Sequence, residues 1–95
     1  MTPFHAGLAS VEQDVRDSLE SLEPSLVQLT DIDATMHTAT VLVVFDEVTW
    51  PAYTAAMAAY TSSVRKHIDV CSLGVEVTDA ASYENLQRSS ELAHA

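Results

Sequence analysis

Three side chains of ligand or nucleophile type stand close together late in the chain: His67, Asp69 and Cys71. On a regular strand all three would point to one face, and Cys with His suits zinc. Alternate residues of a strand lie about 7 Å apart, however. One ion would capture two of the three at most, and further ligands would have to come from elsewhere, for example His37. The same face continues as Leu73, Val75 and Val77, which is core chemistry. The reading adopted is therefore a buried structural Cys71 with His67 and Asp69 at the surface, and no metal site or cofactor is expected.

Cys71 as a nucleophile, with His37 or His67 as its base, is the next candidate. A substrate pocket needs ~300 Å³ or more, and a chain of 95 residues leaves little room for one. Asp46-Glu47 follows an apolar run, a place where α/β enzymes put acids. Adjacent residues point opposite ways, however, and a charged strand end leading into a helix cap explains the pair as well. The two glycines, Gly7 and Gly74, lie far apart, so no phosphate-cradling loop is present. No catalytic residue is assigned, and the chain is read as non-enzymatic.

Charge narrows the partners. Four Lys+Arg stand against 14 Asp+Glu, for a net charge of −10. Phosphate contacts need clustered Lys and Arg, so nucleic acid is not an expected partner, and an anionic membrane surface is disfavoured too. No apolar run reaches the ~18–20 residues of a membrane span. The start, Met1-Thr2-Pro3-Phe4-His5, lacks the basic flank and apolar stretch of a signal peptide, so a cytoplasmic location is expected. The single cysteine offers no intrachain disulfide. Ala, Val and Thr outnumber Lys, Asn and Ile, the bias of a GC-rich genome such as that of a high-GC bacterium, its phage or a halophile.

The elements that would position these residues follow from periodicity. Leu8, Val11, Val15, Leu19 and Leu22 fall on one side of a helix, which predicts an amphipathic helix over 8–23. Pro24 either kinks this helix, which would then run to about residue 30 since Leu26 and Leu29 continue the stripe, or ends it, with a short strand over Leu26–Thr30. The break is favoured because Val27 falls off the stripe, and a turn follows over Asp31–Ala34. His37–Asp46 is the clearest strand, apolar without a break from Val41 to Phe45, as expected when both faces are covered. Thr49 caps a helix with Pro51 in its first turn. Ile68–Thr78 alternates as a second strand, Cys71, Leu73, Val75 and Val77 against Val70, Ser72, Gly74 and Glu76, with Gly74 marking a bulge or a close approach. Asp79 caps a last helix from Ala80 to about Leu92. The fold class expected is α+β: a small two- to three-stranded sheet with about three helices packed mainly on one face. It forms one compact domain over 1–95, with loose termini at 1–6 and 93–95.

The middle helix stands out. From Trp50 through Val64 there is no charged residue. Tyr53, Met57, Tyr60 and Val64 form an apolar stripe with Trp50 at its edge, and behind it runs a second stripe of small residues, Ala52, Ala55, Ala59 and Ser62. A helix uncharged all round is usually covered on more than one side. The small stripe is thus a candidate contact surface for a partner or a second copy, although Ala is also simply the best helix former. The first helix carries acid at Asp14, Asp17 and Glu20, together with Glu12 and Glu23. That face could steer a basic protein partner or serve only solubility.

The expected function is a small acidic interaction protein that binds, and inhibits or tethers, a cytosolic protein target. Size and charge are those of host-directed or immunity-like proteins from phages and mobile elements, and a homodimer is an option. One alternative is a small ligand-binding or catalytic subunit with a pocket lined by Phe45, Trp50, Tyr53 and Tyr60. Another is an acidic dimeric chaperone.

Overall fold

Apolar spacing decides where the first helix lies. In the computed structural model, which describes residues 3–69 and 71–94, helix α1 spans Pro3–Leu19. Its stripe of Leu8, Val11, Val15 and Leu19 is buried, the last three completely. The helix starts earlier than the stripe suggested, with Pro3 at its first turn and Phe4 buried, so residues 3–6 are structured. Met1, Thr2 and Ala95 of the expected loose termini lie outside the described residues. Pro24 does end the helical segment. A short 3₁₀ turn over Glu20–Leu22 closes on Glu23, whose left-handed φ of 49° lets its N–H reach Glu20 O. That turn carries Leu22 off the stripe and leaves it exposed.

Strand β1 (Leu26–Asp33) runs past the expected Thr30 and turns back into β2 (Thr38–Phe45). Its register slips between Thr30 and Asp33, where Asp31 takes a positive φ of 51°. The tight turn itself comes later than predicted. Asp33 Oδ1 accepts from the N–H groups of Thr35 and Met36, an Asx turn. Helix α2 (Trp50–His67) then crosses to β3 (Ser72–Asp79), and α3 (Ala80–His94) follows directly. Thr49 caps α2 through Ala52 N–H, and Asp79 caps α3 through Ser82 N–H, both as the sequence indicates.

The protein is an α+β domain whose sheet has the order β1-β2-β3. β2 lies in the centre, antiparallel to β1 and parallel to β3. Central position explains its unbroken apolar run: Val41 to Phe45 are all buried. Alternation puts Val27, Val41, Val43 and Phe45 on one face, where Val11, Val15 and Leu19 of α1 and Ala52, Ala56 and Ala59 of α2 meet them. The expectation of helices mainly on one face holds for α1 and α2 only. Helix α3 takes the opposite face, where Tyr83, Leu86 and Gln87 stand over Leu42, Thr30 and Thr78. The reason is that β2 is apolar on both sides, so Leu42 and Val44 need cover as well.

Candidate functional site

The cluster that the sequence offered for chemistry does not assemble. Helix α2 continues through His67, so His67, Asp69 and Cys71 do not share a strand face. Val70, in the same stretch, lies outside the described residues. His67 Nδ1 lies 3.1 Å from Ser63 O, within its own helix. The Cys71 thiol donates to His67 O at 3.7 Å and packs with Phe4, Leu8 and Ala39. Burial pushes that thiol up from its ordinary value, the opposite of what a nucleophile needs. His37 instead stacks on Phe4, with ring centroids 5.1 Å apart. Asp46 accepts from the Ser25 hydroxyl, as a strand-end residue. Among the described residues no three His, Cys, Asp or Glu side chains gather as metal ligands would.

The two stripes of α2 exchange the roles their sizes suggest. Ala52, Ala56, Ala59 and Ser63 are the buried residues of this helix. Small side chains let α2 approach α1 and the sheet closely, so the larger ones are displaced to its flanks. Of the small-residue stripe, Ala52 and Ala59 are core, Ala55 is half-buried against it, and Ser62 remains exposed. Most of that stripe is therefore packed inside the protein, and a charge at Ala59 would be buried rather than presented to a partner. The aromatic stripe lies on the flank of α2 above β3. Tyr60 donates its hydroxyl to Leu73 O at 2.6 Å. Met57 and Val64 are half-buried beside it, and Tyr53 is exposed.

The residues of the pocket alternative are spread rather than convergent. Phe45 is in the core, Tyr60 is tied to β3, and Trp50 is 77% exposed. Trp50 stacks on Tyr53 at 5.9 Å, and both are exposed. They form an aromatic pair at the start of α2. The hollows gather other residues: an open one of about 760 Å³ runs along α2, lined by Met57, Thr61, Arg65 and Lys66 among others, and one of about 190 Å³ lies between α3 and the sheet.

The acidic face of α1 is partly engaged within the protein. Asp14 pairs with Lys66 of α2 at 3.1 Å, Glu12 pairs with Arg16 at 2.7 Å, and Asp17 accepts from Gln13. Glu20 is exposed in the 3₁₀ turn.

The sheet edges are the feature that sequence reasoning missed. Arg16 donates to Val27 O through both Nε and Nη2, at 3.3 and 2.9 Å, and so covers the β1 edge. At the other edge, Ser72 N–H bonds to His37 O, so Ser72 turns its main chain toward β2. Alternation then turns the main-chain groups of Leu73, Val75 and Val77 outward. Leu73 O accepts from Tyr60, but no hydrogen bond reaches the outward groups of Val75 and Val77 among the described residues. Strand order decides which strand is an edge, and no local pattern announces it.

Compared with known proteins, the chain matches no family model, no curated protein and no solved structure. Among the described residues no helix is long and apolar enough to cross a membrane.

Proposed function

We propose that this protein acts by binding another protein rather than by catalysis, and that it inhibits or tethers a cytosolic target. The observation that carries the reading is the exposed Trp50–Tyr53 pair. An exposed Trp stacked on a Tyr, in a chain of net charge −10, is the kind of rigid aromatic anchor that dominates protein interfaces. Tyr and Trp lose few rotamers on binding, so they contribute contact area at a low entropic cost. The exposed acids Asp17 and Glu20 of α1 would add long-range attraction for a basic partner and raise its rate of encounter.

The test is affinity capture from the source cells, with the captured protein identified and then purified. Trp50→Ala should weaken binding of that purified partner by roughly tenfold or more, the effect of losing a hot-spot aromatic. Circular dichroism should be unchanged, because Trp50 is exposed. Equal affinity of Trp50→Ala and wild type for the partner would remove this pair as the binding site.

A further inference from the structure

We propose that the open edge of β3 pairs antiparallel with β3 of a second copy, so that two chains share one continuous six-stranded sheet. The inference rests on the reading of this chain as a binding protein and names a second copy as one of its partners.

Main-chain parity makes the edge self-complementary. Val75 turns its N–H and C=O outward, and a two-fold axis beside Val75 would let the two Val75 residues exchange both hydrogen bonds. The same axis sets Leu73 opposite Val77 of the second copy; both turn their main chain outward, with Leu73 O already accepting from Tyr60 and sharing its second lone pair with the incoming N–H. It sets Glu76 opposite Gly74, so the acids of the two strands do not face each other.

Gly74 is a second, independent observation. A glycine inside a strand weakens it and needs a reason. Its register with Thr40 is unbroken, so it marks no bulge. A Cβ placed on it would meet nothing closer than Thr40 Oγ1 at 3.5 Å, an ordinary contact. Among the described residues nothing therefore demands glycine here. The Glu76 side chain of a second copy, lying opposite, would use the vacant space.

Charge and spacing agree with this arrangement. Two chains of net charge −10 repel each other, so a contact of low charge is favoured. The flank of α2 above β3 carries Tyr53, Met57, Tyr60 and Val64, without a charge, and the exposed Glu76 of each β3 is the acid that the contact must accommodate beside Gly74. Helix α2 packs on both β2 and β3. With strands ~4.8 Å apart, two α2 helices related across the shared edge would lie ~10 Å apart, a normal helix-packing distance. Tyr60 reaches Leu73 O from α2. Met57 lies about one turn before Tyr60 on the same flank, so the two-fold axis that relates the strands would also bring the two α2 flanks toward each other.

The experiment is sedimentation of the purified chain alone over a dilution series, with amide exchange followed in parallel. The expected mass is twice the 10.3 kDa chain at high concentration, and higher salt should favour the dimer. The amides of Val75 and Val77 should exchange slowly in the dimer and quickly on dilution. Val75→Pro removes an outward N–H that the β2–β3 ladder does not use, and should give a folded monomer. Met57→Glu, a second route to the same answer should Val75→Pro not fold, should weaken the dimer roughly tenfold or more. A wild-type chain that stays monomeric, or folded variants that dimerise as well as wild type, overturns the proposal. Partner capture plays no part in this measurement, so a failure here is distinct from a failure of the Trp50–Tyr53 pair.

Discussion

The two edges of the sheet are built from strands of the same length, eight residues each, yet they meet solvent differently. At β1 the chain bends its own ladder at Thr30–Asp33 and lays the Arg16 guanidinium over Val27 O. At β3 the strand is regular, and among the described residues only Leu73 O is covered, by Tyr60. A bulge and a cationic side chain are the usual devices against edge-to-edge pairing. Both devices stand on the β1 edge, and among the described residues neither stands on β3, where the exposed Glu76 is the charge present, so the proposed pairing is to be tested at β3.

The largest effect should come from the core that both edges share. Leu19 is fully buried with Val15, Val27 and Phe45 in one cluster. Leu19→Ala should cost about 2–5 kcal/mol, read from urea unfolding. If the two edges rest on a single core, protection of β1 and β3 amides should fall together. Loss at β1 alone would split the molecule into two units.

A smaller and more local effect is expected from Arg16→Ala. It removes a charged donor from Val27 O and the ion pair to Glu12, on a side chain 52% exposed. Solvent screening holds the loss to about 1 kcal/mol. The sharper readout is association: with its guard removed, the β1 edge should self-associate, and light scattering should rise. No change in scattering would mean that the bulge alone protects this edge.

The smallest expected effect separates the two sides by pH. Asp79, at the end of β3, accepts from Ser82 N–H and from its hydroxyl, and both hold its carboxyl below the ordinary range. Because the folded-state value lies below the unfolded one, this cap contributes fully above the ordinary carboxylate range. It is lost as pH falls through the depressed value. The Arg16 bond to Val27 O has no such dependence, since guanidinium stays charged. Acidification should therefore fray the start of α3 before the β1 edge opens, as followed by amide exchange of Ser82 and its neighbours. Asp79→Asn should flatten that pH dependence.

Much of this was readable from local pattern. The α1 stripe, the break at Pro24, the doubly buried β2 and the caps Thr49 and Asp79 each follow from forces acting within a few residues. The β1 turn was placed too early, because Asp31 and Ile32 extend the strand across a bulge that no periodicity marks. His67 was placed on a strand because alternation from Ile68 to Val77 can be continued backward, while the capped α2 reaches further. Of the small stripe of α2 that the sequence offers as a contact surface, Ala52 and Ala59 are buried within the fold. The alanines are small so that α1 and α2 can pack closely, and which stripe faces inward depends on what lies opposite.

By itself, then, the sequence determined the α+β class, the order of the elements, a strand buried on both faces and the uncharged middle helix. Each of these follows from composition and periodicity, which act along the chain. Only the tertiary structure decided that α3 crosses the far face of the sheet. It also decided that Arg16 reaches Val27 from eleven residues away and that β3 is an edge with outward Val75 and Val77. Those outcomes depend on which surfaces meet across the fold, and hydrogen-bond parity at an edge exists only once the strands have been ordered.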